Sequence, residues 1–516
     1  MSIVLPIFSG ILLILCQPPV SLFPLAFVAL IPLFYSLDKY AYRHPFVPGF
    51  VVGIVTYLGL IYWVIIAMNT YGGIDIFTSA LILLMFVLYL SLYSGLFATA
   101  VSMMDKKLSV PVYLSAPIIW TLLEYVRGIA LTGFPWVFLA HSQHNFLTFI
   151  QVASITGTYF LSFLIVSVTC ILYFIIARKR ISGVYVTIIC LLAACSIVYG
   201  LARLHGTQPG DLSAALVQGN IRQDVKWNEA FKIKTIQTYY QNTIRGNGNA
   251  DLIVWPETSL PLVFNEEPYV NHHIKALPLL VNAHLLFGTI WKDQSGNLYN
   301  SSYVISKTGD VSGIYNKVHL VPFGEYTPLV AYLPFLQKIT AQGAGFAAGD
   351  GHDPITTALG RVGILICYEG VFPHITNATV ARGAQFLVNL TNDAWYKRTS
   401  APFQHLSFYI FRAVETDRFV LRAANTGISA IIDPRGRITA KTPIFEERVL
   451  LGTFALRDTI TPYVRHGDYF IAISFLFLIV VTATQLLGKR RGRPLFRSLR
   501  EGQLKPQKEE AVRGDR

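Results

Sequence analysis

Charge is what this chain has least of. Asp, Glu, Lys and Arg make up 14% of its 516 residues and hydrophobic residues 53%, a balance too apolar for an ordinary soluble chain, so part of it must lie in lipid. Acidic residues are the scarcer sign, 29 against 42 Lys and Arg. The basic excess does not indicate nucleic acid, because the cations come in short clusters beside apolar runs, as topology signals do. Nearly half of the net +13 sits in 489–516, which holds ten Lys or Arg and four Asp or Glu. That stretch is read as a disordered cytoplasmic tail against anionic lipid. Cysteine is also sparse, with five in all. Cys16, Cys170, Cys190 and Cys195 fall in apolar runs, where they are read as small buried side chains. Cys367 is left without a partner, which excludes a structural disulfide around it. The start MSIVLPIFSGILLILC lacks a basic n-region, so no cleavable signal peptide is expected. There is no G-x-S-x-G elbow, and Gly343 to Gly349 is a loop rather than a G-x-G-x-x-G turn. His141 with His144 and the pair His272-His273 lack carboxylates or cysteines at ligand spacing. They are read as surface or interfacial, and no metal or cofactor is expected.

What is present is a series of long apolar runs. Crossing the hydrocarbon takes about 20 mostly apolar residues. Seven candidates precede residue 203, near 2–16, 20–37, 46–67, 76–102, 111–127, 150–177 and 181–202, and an eighth runs from about Tyr469 to Leu487. With a cytoplasmic N-terminus, the loops Asp38 to Arg43, Asp105-Lys106-Lys107, Arg178-Lys179-Arg180 and the tail from Lys489 are all net basic, as the positive-inside rule requires. The opposite loops around Gln17-Pro18-Pro19 and Asn69 to Gly73 carry no Lys or Arg; Arg127 alone breaks the pattern. The expected organisation is a membrane domain of about seven helices over 1–202, an outer domain over 203–468, a last span over 469–488 and the tail over 489–516.

Inside 203–468 the rhythm changes. Short apolar runs at 214–217, 252–255, 285–288, 362–366 and 386–390 alternate with polar segments and predict buried strands of an independent α/β domain. Glu257 and Cys367 each follow such a run, and Lys317 adjoins one. Ligands collect at the carboxyl ends of strands in open α/β sheets, so these side chains are expected to reach one pocket. A thiol becomes a nucleophile when a carboxylate takes its proton, and an ammonium steadies both the thiolate and the oxyanion of a tetrahedral intermediate. The backbone N–H of Tyr368 would complete an oxyanion hole. Taken singly, a buried Cys, a Glu after a strand and a loop Lys are each more often structural.

Their joint contexts carry a resemblance. WPET at 255–258, NKVHLVPFGEYTP at 316–328, ICYEG at 366–370 and NLTNDAW at 389–395 resemble the nitrilase superfamily, with its Glu-Lys-Cys triad on an α-β-β-α sandwich. With the spans around them they resemble its membrane-embedded branch, the apolipoprotein N-acyltransferases. The resemblance covers nearly the whole chain up to the tail. It implies a multi-pass α-helical membrane domain plus a nitrilase-like α/β sandwich, with Glu257 as general base, Lys317 as electrostatic stabiliser and Cys367 as nucleophile. Glu325 would be a further essential carboxylate, Tyr368 and Glu369 would flank the nucleophile, and Trp227 and Asn300 would be substrate-binding positions. For Trp227 and Asn300 a core indole and a turn amide weigh equally.

The implied activity is transfer of an acyl chain from a membrane phospholipid to the α-amine of a diacylglyceryl-cysteine apolipoprotein, through a Cys thioester. The expected setting is the inner membrane with the catalytic domain periplasmic, a monomer without nucleic acid. Two other readings use the same residues: a membrane-tethered amidase or hydrolase, in which water resolves the thioester, and a lipid carrier whose enzyme-like domain only binds. The apolar segment 328–336 favours transfer, read as a lid that dips Leu333 and Phe335 into the bilayer surface to admit acyl chains. Charged substitutions at Leu333 and Phe335 are expected to lower acyl transfer at least about ten-fold, since each charge must leave the lipid surface. Unchanged transfer would sink the lid.

Overall fold

The computed structural model describes residues 3–40, 43–206, 210–326 and 345–490. The predicted lid, with Leu333 and Phe335, and the tail beyond 490 lie outside the described residues. The chain forms two compact units: Met1–Tyr62 with Ile82–Ala202 and Asp468–Arg516, and Trp63–Leu81 with Arg203–Gly467.

In the first unit, hydropathy and helix length separate. Among the described residues six helices are long and apolar enough to cross a membrane: Phe23–Tyr40, Ile76–Leu108, Val112–Thr132, Thr158–Ile176, Gly183–Leu204 and Tyr469–Lys489. A bent pair, Phe46–Ile61 with Trp63–Tyr71, makes a seventh if counted as one span. This is fewer than the eight runs read from hydropathy. The first run is the 12-residue helix Val4–Leu15, about 18 Å long against a hydrocarbon core of roughly 30 Å. The 150–177 run is broken at Gly157, whose φ of 75° lets the chain turn before Thr158–Ile176 begins. Helices meet through small residues, as packing in lipid favours; a Cβ on Gly53 would come within 2.6 Å of Ser91 Cα. His141 and His144 are buried here, not at a surface. The reason is local: His141 Nδ1 accepts a hydrogen bond from Phe138 N at 3.0 Å and closes a turn packed against neighbouring helices. His272 and His273 are exposed.

Among the described residues the second unit is built on twelve strands: β1 (Leu212–Gln218), β2 (Leu252–Val254), β3 (His284–Lys292), β4 (Leu298–Ile305), β5 (Val311–Asn316), β6 (Ile355–Thr357), β7 (Gly360–Ile366), β8 (Phe386–Thr391), β9 (Val420–Ala424), β10 (Ala430–Ile432), β11 (Ile438–Lys441) and β12 (Arg448–Phe454). They form two six-stranded sheets, ordered β12-β1-β2-β3-β4-β5 and β11-β10-β9-β8-β7-β6. The parallel centres, β1-β2-β3 and β7-β8-β9, are continuous apolar runs because both of their faces are covered. Leu216, Val254 and Leu286 meet Ile364, Val388 and Leu421 between the sheets. Val217, Ile253 and Leu285, one residue out of phase, pack outward with Tyr239, Ile274 and Leu277 of the helices Glu229–Gly246 and Pro268–Val281. Pro373–Ala381 and Ala401–Thr416 cover the other sheet. The result is the α-β-β-α sandwich that the motifs implied.

The segment Trp63–Leu81 belongs to this unit although it lies far upstream in sequence. The Trp63 ring stands edge-on to Tyr396 at 4.7 Å and Tyr71 to Trp395 at 5.7 Å. Trp63 Nε1 also donates to Gln404 Oε1 at 3.2 Å.

Asp417, 2% exposed, pins the ends of several elements together. It pairs with Arg203 at 2.7 Å, with Arg457 at 2.6 Å and with Arg435. Burial pushes its carboxyl up, but the three guanidinium groups outweigh burial and hold it below the usual range. Asp417→Asn leaves three cations around a neutral amide and is expected to cost about 3 kcal/mol or more, read as a thermal midpoint lowered by roughly 6–12 °C. Because the folded carboxyl is depressed, the deficit is full above about pH 4 and shrinks as pH falls below that value. An unchanged midpoint at pH 7 would remove Asp417 from this role.

Candidate active site

The carboxyl ends of β2, β5, β7 and β8 converge, and the polar side chains gather there. After β2 the chain turns through Trp255-Pro256, with Trp255 N held on Leu286 O at 2.8 Å, and presents Glu257. The turn lies directly on β3. A Cβ on Gly288 would fall 2.7 Å from Glu257 Cα, so this position of β3 has room only for glycine. Thr258 follows with a φ of 44°.

Lys317 leaves β5 and is 1% exposed. Its Nζ lies 2.8 Å from Glu325 Oε2 and 3.6 Å from Glu257 Oε1. Asn300, on β4, joins the two acids, its Nδ2 donating to Glu257 Oε1 at 2.8 Å and to Glu325 Oε1 at 2.7 Å. Val321 N donates to Glu325 Oε2 at 2.8 Å. Nearby backbone holds the loops in place: Phe346 N on Glu325 O at 3.0 Å and Gly349 N on Lys317 O at 2.8 Å. Burial alone would push the Lys317 ammonium down; the Glu325 and Glu257 carboxylates reverse this and hold it above its ordinary value.

Cys367 ends β7 on a φ of 53°, a left-handed corner that costs a non-glycine residue of order 1 kcal/mol or more. Tyr409 OH donates to Cys367 O at 2.8 Å. Glu369 clamps the corner. Its Oε2 accepts from Ile366 N at 2.7 Å, and its Oε1 accepts from Tyr315 OH at 2.9 Å, Val318 N at 2.8 Å and His319 N at 3.1 Å. The cysteine corner is thereby tied to the loop that carries Lys317. Burial pushes the Glu369 carboxyl up to about 7 against the pull of these donors. The Cys367 thiol is half-buried. Burial pushes it up, the Glu257 charge adds to this and Lys317 opposes it, so the sulfur rests as a thiol.

Glu257, Lys317, Glu325 and Asn300 are thus in mutual contact, with Cys367 in their field. Glu369 is wholly buried and aimed at backbone. Tyr368 stacks edge-on to Phe372 at 4.9 Å. Trp227 is half-buried beside Lys226, whose Nζ sits 6.0 Å from its ring centre.

Sequence reasoning missed Lys226. It is 1% exposed, and its Nζ donates to Glu257 O at 3.0 Å and Thr258 Oγ1 at 2.5 Å, fixing the turn that carries Glu257. Its neighbour Trp227 had been singled out, but a lysine in a turn reads as solvated. Also missed were Thr391, Asp393, His405 and Arg422, a buried chain behind the sulfur. The first two lie inside NLTNDAW, while nothing local marks the others.

A family model described as carbon-nitrogen hydrolase matches residues 213–461, and one described as apolipoprotein N-acyltransferase N-terminal domain matches 9–171. The apolipoprotein N-acyltransferase of Geobacter metallireducens is 40% identical over 478 residues, 90% of this chain and 91% of that protein. Those of Methylococcus capsulatus and Pasteurella multocida are 34% and 29% identical, covering 79% and 94% of this chain and 81% and 95% of theirs. Among solved structures, a carbon-nitrogen hydrolase from Helicobacter pylori superimposes with a TM-score of 0.38 at 17% identity, over 52% of this chain and 94% of that one.

Burial pushes the Lys226 ammonium down to about 8, against the Glu257 and Cys367 charges. Between about pH 8 and the unfolded value near 10.4 the unfolded chain binds the extra proton, so this group makes stability rise with pH there. That rise in thermal midpoint, relative to the variant, should vanish in Lys226→Met. Parallel curves for the two proteins would contradict a buried, depressed Lys226.

Proposed function

Because the chain belongs to the apolipoprotein N-acyltransferase family, and so serves lipoprotein N-acylation, we propose that Cys367 carries the acyl group as a thioester between two half-reactions. Support for this comes chiefly from one observation: a buried ammonium, Lys317, lies between two carboxylates beside a cysteine on a strained strand-end corner. In the first half-reaction Glu257 takes the thiol proton as Sγ attacks the ester carbonyl of a phospholipid. Lys317 and the backbone N–H of Tyr368 meet the charge that develops on the carbonyl oxygen. Collapse breaks the ester C–O bond, and Glu257 returns the proton to the departing lysophospholipid. In the second, the α-amine of a diacylglyceryl-cysteine attacks the thioester, Glu257 takes a proton from the nitrogen, and the C–S bond breaks to give the amide, with Glu257 passing the proton to the departing sulfur to restore the Cys367 thiol. A neutral resting thiol suits this order, because the base acts only when substrate is in place.

Glu325 and Asn300 orient Glu257 and Lys317 rather than react, a role supported by the two bonds Asn300 makes. Glu369 positions the corner, Trp227 lines the entrance beside Lys226, and Leu333 and Phe335 meet the acyl chains. The basic clusters at 38–43, 105–107, 178–180 and 489–491 support a periplasmic catalytic domain, with the membrane, catalytic, last-span and tail segments divided at 202, 468 and 488. The protein acts as a monomer.

A membrane-tethered hydrolase would use the same residues and let water finish the reaction. Purified protein incubated with acyl-labelled phospholipid is expected to acquire a hydroxylamine-sensitive label that is absent from Cys367→Ala. On addition of a diacylglyceryl peptide the label should pass to the peptide. Label appearing on Cys367→Ala would remove Cys367 from the mechanism, and loss of label to water at the same rate with or without peptide would make the enzyme a hydrolase.

A further inference from the structure

β8 ends at Thr391, fully buried, and its hydroxyl is placed between two acceptors. Oγ1 lies 3.5 Å from Cys367 Sγ and 3.3 Å from Asp393 Oδ1. One hydroxyl carries one proton, so it serves one of them at a time. Asp393 does not depend on it. His405 Nδ1 lies 2.9 Å from Asp393 Oδ1, and Arg422 Nη2 donates to Oδ2 at 2.8 Å. Burial pushes the Asp393 carboxyl up, but Arg422 and His405 outweigh this and keep it below its ordinary value. It is therefore a fixed anion at neutral pH, not a base. Arg422 is itself held, Nη1 donating to Asn389 Oδ1 at 2.5 Å, so Asp393 stays in place when the hydroxyl turns away.

We propose that Thr391 is a further catalytic residue, a rotating donor that follows the charge on sulfur. This rests on the thioester mechanism above. In the resting enzyme the thiol S–H points to Thr391 Oγ1 and the threonine O–H points to Asp393. When sulfur becomes anionic, as Glu257 removes its proton or as the incoming amine expels it from the thioester, the O–H turns to Sγ. The threonine keeps its proton throughout; one of its hydrogen bonds is exchanged for another. Thr391 thereby stabilises sulfur both as attacking and as leaving group, a task for which Lys317, already bonded to Glu325, is less free. The other groups that act on this sulfur are Glu257 after β2, Lys317 after β5, Asp393 after β8, Lys226, and the phenols Tyr396 and Tyr409. All of them remain in a Thr391 variant, so the variant isolates the hydroxyl.

The test is the pH dependence of Cys367 alkylation by iodoacetamide in the solubilised full-length protein, read on the Cys367 peptide by mass spectrometry. It needs no lipid substrate, so it stands even if the acyl-transfer reading fails. Removing a donor to the thiolate raises the thiol's pKa. Thr391→Val, which keeps the shape, should therefore move the alkylation midpoint up by about one pH unit. Thr391→Ser should restore the wild-type midpoint. A Thr391→Val midpoint equal to wild type, or a Thr391→Ser midpoint that moves with it, overturns the proposal, because a purely structural threonine would change stability and leave the profile in place. Should Thr391→Val fail to fold, the Cys367 S–H stretch decides, isolated among the five thiols as the difference band between wild type and Cys367→Ser. A low-frequency, hydrogen-bonded band is expected, and a free-thiol frequency overturns the rotor.

Discussion

An ammonium buried between two carboxylates sets the terms for the rest of the α/β unit. Lys317 is almost completely removed from water, and a charge in that position is tolerable only if its partners are held at bonding distance. Glu257 follows β2 while Lys317 and Glu325 share the loop after β5, so their spacing can be no better than the register of the strands and loops behind them. Asn300 bridges the carboxylates from β4, and Glu369 ties the corner after β7 to the loop after β5 through four donors. The turn that brings Glu257 into place has to lie flat on β3, which is why that strand carries a glycine at 288. Stability and chemistry share these contacts.

The sandwich suits the site for a topological reason. Two sheets with parallel centres, packed face to face, bring carboxyl ends of strands from both layers to one edge. The acid and the ammonium come from one sheet, the sulfur and its threonine from the other. The Cys367 sulfur thus has charge on one side and the Thr391 hydroxyl on the other, without any single loop having to supply both.

Much of this was legible in the sequence, for identifiable reasons. The runs at 214–217, 252–255, 285–288, 362–366 and 386–390 announce β1, β2, β3, β7 and β8 because central strands are apolar on both faces. Edge and hairpin strands such as β11 and β12, half exposed, carry no such signal and went unread. Glu257 and Cys367 were found by their position after a strand. Lys226 was not, because what buries it is a carbonyl and a hydroxyl 31 and 32 residues downstream, a tertiary fact with no local pattern. The same holds for His405 and Arg422, which meet Asp393 only once the helix Ala401–Thr416 and β9 are folded. In the membrane unit, hydropathy located apolar runs but not where helices stop, since one positive-φ glycine at 157 ends what composition would continue.

The stretch Trp63–Leu81 gives the gene and the fold different seams. By sequence the enzyme-like module starts near 203, yet the rings of Trp395 and Tyr396 are met by Tyr71 and Trp63 of the far-upstream segment Trp63–Leu81. Trp395 and Tyr396 follow directly on the Thr391–Asp393 chain behind the sulfur. An excised fragment beginning at 203 would leave the Trp395 and Tyr396 rings without these partners beside the Cys367 corner. The module therefore cannot be shuffled as a cassette between anchors. Any soluble derivative that keeps these aromatic contacts has to carry the upstream strut as a graft.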